Sequence, residues 1–162
     1  MRSKRLLVLV VSITVLVTVL ILHTFGVTGT GTRIGFQTVV KGSVSGYENS
    51  TYCVINDADQ WADIWNKYGR NMLPQPSLPN VDFSRSTIIA VFMGQCLTTG
   101  YGIEVKEIVD TGLSVVVKIE KTYPGKGCAV GEMLTYPHHI IKVDKIGKYI
   151  LFNTITSAKQ CG

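Results

Sequence analysis

Thr87-Ile88-Ile89-Ala90-Val91-Phe92-Met93 is a continuous apolar run after its first residue, bounded by Ser86 and Gly94. Seven residues with turn formers outside is the length of a strand, and unbroken apolarity marks a strand buried at the centre of a sheet. Downstream the pattern changes to alternation. Tyr101, Ile103 and Val105 alternate with Gly102, Glu104 and Lys106, as in a half-buried strand. Asp110-Thr111-Gly112 reads as a hairpin turn. Beyond it, Leu113, Val115, Val117 and Ile119 alternate with Ser114, Val116, Lys118 and Glu120. Thr122 to Thr135, with three glycines, a proline and Cys128, reads as a long loop. His139–Val143 and Tyr149–Asn153 are expected as two further strands, joined around Lys145-Ile146-Gly147.

Upstream, Met72 to Pro79 holds three of the five prolines and reads as an extended loop. Before it lies helical periodicity. Trp61, Ile64, Trp65 and Tyr68 fall at i, i+3, i+4 and i+7. Asp57 with Gln60 resembles a capping box, and Gly69 a C-terminal stop. Such a stripe, carrying both tryptophans, suits a helix at about 57–68 laid across a sheet better than a ligand site. Ile34 to Lys41 is expected as the first strand, followed by a polar turn from Gly42 to Ser50. There is no internal repeat and no low-complexity segment. The fold class is therefore mainly β: an antiparallel β-sandwich or barrel-like domain with one packed helix, preceded by an N-terminal transmembrane helix.

That last element rests on Leu6 to Leu22, a run broken only by Ser12, Thr14 and Thr18, and reaching Phe25 despite His23. Arg2, Lys4 and Arg5 precede it. The run exceeds a signal-peptide core and approaches the roughly 20 residues of a spanning helix, so length favours an anchor over a cleaved signal. Val27-Thr28-Gly29 is only a poor cleavage site. In either case the basic residues stay cytoplasmic and the remainder is exported: a single-pass membrane protein through Leu6–Phe25, or a secreted one if cleaved. The expected organisation is 1–27 anchor or signal, 28–33 linker and 34–162 exported domain. About 130 residues beyond the anchor make one domain, and the high apolar content excludes disorder there. The net charge of +5 owes three units to the N-terminus; 13 basic and 11 acidic residues remain, giving +2. No nucleic-acid partner follows from that balance.

Cys53, Cys96, Cys128 and Cys161 all fall in the exported part, without a C-x-x-C pair. Two disulfides suit an oxidising compartment better than a metal site does. Of three connectivities, Cys96–Cys128 with Cys53–Cys161 is preferred, since it would tie two loops and pin the tail. Asn49-Ser50-Thr51 is an N-glycosylation acceptor pattern. No catalytic constellation is expected, and no cofactor or metal. His138 and His139 are strand neighbours that point to opposite faces, and His139 is expected to be a satisfied sheet residue. Asp57, Asp59 and Asp63 suit the start of a helix.

One loop stands out: Gly94-Gln95-Cys96-Leu97-Thr98-Thr99-Gly100-Tyr101-Gly102. Its small and hydroxylated residues permit a tight path that presents polar groups outward. Gln95, Leu97, Thr98, Thr99, Gly100 and Tyr101 are therefore the candidate partner-binding residues, weighed against a plain bulge or turn. With the tryptophan helix, Val81-Asp82-Phe83-Ser84, the apolar strand to Gly94, Thr99-Gly100-Tyr101 with Ile103, and Thr135 to Pro137, the stretch from Phe36 to Phe152 resembles the C-terminal domain of the PrcB family of protease-complex accessory proteins. That resemblance implies a small exported β-rich domain without catalytic activity, which assembles or stabilises a surface protease. Two departures stand: Thr99 occupies a place where glycine is more usual, and the Thr122–Thr135 loop is long. Thr98-Thr99-Gly100-Tyr101 also resembles one loop of chagasin-type cysteine protease inhibitors. Cys96 and Leu97 replace the preceding Asn-Pro, and no Arg-Pro-aromatic triplet exists. The expected partner is thus an exported protease, as accessory or, alternatively, as inhibitor; a structural envelope role is a third reading.

Overall fold

A computed structural model describes residues 31–160. The expected anchor, Leu6–Phe25, and Cys161 lie outside the described residues. The elements run β1 Thr32–Arg33, β2 Phe36–Gly42, β3 Thr51–Ile55, α1 Ala58–Gly69, β4 Ser86–Phe92, β5 Gly102–Asp110, β6 Ser114–Pro124, β7 His138–Asp144 and β8 Tyr149–Lys159. Two four-stranded sheets form, β1-β5-β6-β8 and β2-β7-β4-β3.

The run 87–92 is buried on both sides because β4 is an inner strand of a middle layer, and Met93 beyond it is half-buried. Ile89 and Val91 join Val105, Ile108, Val117, Ile119 and Ile141 in the core between the sheets. Ile88, Ala90 and Phe92, at the alternate positions, join Trp61, Trp65, Tyr68 and Ile140 under the helix. Each fully buried isoleucine or phenylalanine contributes about 1.5–3 kcal/mol over leaving it exposed, so these two clusters fix which face each strand shows.

The helix begins as expected: Asp57 Oδ1 accepts the Gln60 amide at 2.8 Å. It ends differently. Gly69 is the last helical residue rather than a left-handed stop, and Arg70 caps the helix in right-handed geometry. Space requires the glycine, since a Cβ there would stand 2.9 Å from Pro76 Cδ. The proline-rich loop folds over the aromatic stripe and satisfies it: the Trp65 and Trp61 indoles donate to the carbonyls of Pro76 and Pro79, each at 3.0 Å. The tryptophan stripe is therefore core.

Three expectations need correction. The sandwich is not wholly antiparallel, because β8 runs parallel to β6 over eleven residue pairs. The C-terminal strand continues past Asn153 to Lys159; there the apolar alternation fades, and backbone pairing to β6 keeps the chain extended. The expected linker ends in a strand, β1, with Thr32 and Arg33 paired to Asp110 and Val109.

Candidate functional site

The loop after β4 is built onto a second loop, which precedes β7. Cys96 and Thr135 exchange both backbone hydrogen bonds, at 2.8 and 2.9 Å. Thr135 Oγ1 donates to Thr98 O at 2.9 Å. Further out, the Thr99 amide donates to Gly131 O at 3.0 Å, and the Gly131 amide donates to Thr99 Oγ1 at 2.7 Å. Thr99 thus does work a glycine could not, since only its hydroxyl closes this reciprocal pair. At the inner end, Gly94 has φ +91, and a Cβ there would meet Glu48 O at 2.9 Å. Gln95 donates its amide to the same carbonyl at 2.9 Å. Positive φ and close backbone approach together admit only glycine there.

Gly100 has φ +94, and a Cβ there would lie 3.1 Å from Pro124 Cβ and 3.3 Å from Val130 Cγ1. Tyr101 packs edge-on against Tyr123, with ring centroids 5.7 Å apart. Of the candidate contact residues, Gln95 and Leu97 are exposed, while Thr98, Thr99, Gly100 and Tyr101 are half-buried. The last four are chiefly the support of the platform.

The surface so made is apolar at several points. Leu97 is 72% exposed, Met133 58%, Leu134 51% and Val130 37%. Two loops tied by hydrogen bonds carry four exposed large apolar side chains, with Glu132 and Lys126 among the neighbouring polar residues. Exposed apolar side chains carried on hydrogen-bonded loops are available for contact without further ordering of the backbone. Val130, Met133 and Leu134 were missed in the sequence because a glycine-rich loop offers no periodicity; the only available signal was apolar residues in an otherwise small and polar segment.

The two histidines diverge as expected. His139, 2% exposed, accepts the Val105 amide on Nδ1 at 3.0 Å and lies 2.9 Å from Thr38 Oγ1 through Nε2. An acceptor Nδ1 places the proton on Nε2, which donates to Thr38. Burial, aided by the Lys41 charge, pushes its pKa down to about 4. His138 faces the helix side, edge-on to Tyr68 at 4.9 Å. Its Nδ1 is 3.2 Å from Tyr136 O, which puts the proton on Nδ1 and leaves Nε2 as a buried lone pair with no partner among the described residues. Among the described residues, no group of three His, Cys, Asp or Glu side chains is placed to share a metal ion. A cleft of about 570 Å³ between Phe36, Asp82, Arg85, Lys142 and Asp144 contains none of the expected loop residues. Its two basic and two acidic side chains balance.

The preferred cysteine pairing is overturned. Cys53 and Cys96 are free thiols. Cys53 sits on β3 within the helix-side cluster, and Cys96 is held by Thr135 with its Sγ 3.8 Å from Gly94 O. Each thiol is turned into its own packing environment, and burial raises the pKa of both. Cys128 is not free; its Sγ lies 3.5 Å from Lys159 O. Asn49 is exposed, in the turn that packs on Gly94.

Residues 87–144 match the family described as PrcB C-terminal. The match runs from the central strand through both platform loops to the end of β7, and it bears out the resemblance read from the sequence. Neither the curated proteins nor the solved structures contain a match.

Proposed function

We propose, with the PrcB C-terminal match of residues 87–144 as premise, that this chain is a non-catalytic, membrane-anchored extracytoplasmic domain. It binds an exported protease as an accessory or stabilising subunit. The observation that carries this reading is the pair of hydrogen-bonded loops presenting Leu97, Val130, Met133 and Leu134, all within the matched segment. Rigid loops lower the ordering cost of association, and exposed apolar side chains supply the area to be buried. The anchor, Leu6–Phe25, would keep the platform at the membrane surface.

One observation favours inhibition as a second reading. Thr99 brings the glycine-containing loop at Gly131 directly beside the Thr98-Thr99-Gly100-Tyr101 segment. The two readings differ in sign. An accessory lengthens the lifetime of the protease, whereas an inhibitor lowers its turnover.

The test is co-purification from native membranes using the full chain, with Leu97→Asp/Met133→Asp as the comparison. Both side chains are exposed, so the double variant keeps the fold. Recovery of an exported protease with the parent chain and its loss with the variant is the expected result. Equal recovery by both removes the platform from the account. Envelope proteins without any protease would support the structural reading instead.

A further inference from the structure

Open sheets end in edge strands, whose outward N–H and C=O groups can template another chain unless something blunts them. Three of the four edges here are blunted. β1 is two residues long. β2 carries a register shift between Thr38 and Val40 and the charged Lys41, paired to Glu104 at 2.9 Å. β3 is five residues long, with the Lys121 ammonium over its Tyr52 ring. β8 is the least protected, its one charge being its last residue, Lys159. It runs eleven residues, pairs with β6 in unbroken register, and has no proline and no charge before Lys159.

Its outer face is also apolar. Ile150 and Phe152 turn inward to the core, and Thr154, on the same face of the strand but exposed, hydrogen-bonds Tyr52 with 3.2 Å between hydroxyls. The alternate residues face out: Tyr149 is 75% exposed, Leu151 46% and Ile155 55%. Among the described residues, no backbone hydrogen bond outside its own ladder reaches β8.

We infer that the β8 edge is the interface for a second copy of this chain, joined antiparallel about a two-fold axis at Asn153. The pattern around Asn153 is self-complementary. A two-fold axis normal to the sheet opposes residues whose numbers sum to a constant and keeps each on its own face. With Asn153 opposite itself, Leu151 meets Ile155 twice on the outer face, and Tyr149 meets Ser157. On the inner face, Phe152 meets Thr154 and Ile150 meets Thr156. The two large exposed aliphatic side chains of the strand, Leu151 and Ile155, then face each other, and the two Asn153 amides can bond across the axis. No like charges oppose each other over these nine residues. The product is one continuous eight-stranded sheet, β1-β5-β6-β8 followed by its mate in reverse order, with the unprotected edges consumed. A partner protein's extended segment could also add to an edge, but the symmetry of the Leu151-Asn153-Ile155 pattern is what a second copy requires.

The inference is independent of the loop platform and of any protease. Its test uses the full chain in non-ionic detergent, with sedimentation equilibrium and oxidative cross-linking of Asn153→Cys. Directly opposed strand residues have Cα atoms about 4.5–5.5 Å apart, within disulfide reach. Asn153→Cys should therefore give a reducible covalent dimer absent from the parent chain. Leu151→Cys should not, since its own copy lies about four residues away along the strand. Ile155→Lys, at an exposed position, should raise the dimer dissociation constant at least about tenfold while leaving the melting temperature unchanged at dilutions where both chains are monomeric. A monomeric parent chain at micromolar concentration, or cross-linking of Leu151→Cys equal to that of Asn153→Cys, overturns the assignment.

Discussion

The imidazole of His139 receives the Val105 amide at 3.0 Å on Nδ1, and so one side chain of the middle sheet holds a strand of the facing sheet. Val105 lies where β5 shifts register against β6, between Val105 and Glu107. A bulge frees an amide from its ladder, and His139 is the acceptor that saves this one from burial without a partner. Nε2 meanwhile reaches Thr38 on β2. Three strands thus converge on one neutral ring.

Neutrality is the condition for that arrangement, because a protonated Nδ1 cannot accept. The folded pKa of His139 is pushed down to about 4 by burial, helped by Lys41 and opposed by Glu104, against about 6.5 in the unfolded chain. Between these values the unfolded state binds the extra proton. Stability from this group is therefore complete above pH 6.5 and falls as the pH drops towards 4, by about 3 kcal/mol in all. His138 shifts in the same direction through burial and steepens the loss. The paired carboxylates Glu104, Glu107 and Asp110, held low by lysine partners, act only at lower pH. Urea denaturation at pH 7.5, 6, 5 and 4.5 should show the decline, and His139→Gln should flatten much of it. A parent chain equally stable at pH 7.5 and 4.5 would refute the role given to His139.

The cysteines permit a count. Cys53 is free and half-buried and Cys96 free and buried, with both thiols shifted up by burial, so alkylation of the native protein should be slow, slowest at Cys96. Cys128 is engaged beside the end of β8, and Cys161 is the one remaining cysteine of the sequence. The expected state is one disulfide at Cys128, with Cys53 and Cys96 as free thiols. Denatured without reductant, the chain should take two alkyl groups, and after reduction four. Four groups without reductant, or none, would contradict it.

How much was legible beforehand depended on whether a residue's role is set by its neighbours in sequence. The tryptophan stripe, the Asp57 cap and the apolar run of β4 announce themselves locally, and each lies where expected. The parallel course of β8 could not be read, since Asn153 to Ser157 pair with a strand over thirty residues earlier and carry no alternation of their own. Gly69 was misread because helix ends and tight packing both select glycine, and Pro76 decides between them. The Gln95–Tyr101 loop was visible as a composition. That Gly131 would be its partner, and that Met133 and Leu134 would share its surface, depended on two hydrogen bonds between distant residues.

Thr99→Val tests whether those bonds order the platform. The substitution keeps the shape and removes the acceptor for the Gly131 amide, while the backbone bond from Thr99 to Gly131 O remains. Gly131 is exposed, so water replaces the lost partner, and the global cost should be at most about 1 kcal/mol. The change should instead be local. Hydrogen exchange at the Gly131 and Met133 amides should quicken at least about fivefold, while amides of β4 and β7 keep their protection. Binding to a protein partner through Leu97 and Met133 should weaken with it, because the variant must order the second loop on association. Unchanged exchange at Gly131 would mean that the remaining bonds, Cys96–Thr135, Thr135 to Thr98 O and Thr99 to Gly131 O, suffice to hold the loops, and that the hydroxyl of Thr99 is not what fixes the surface.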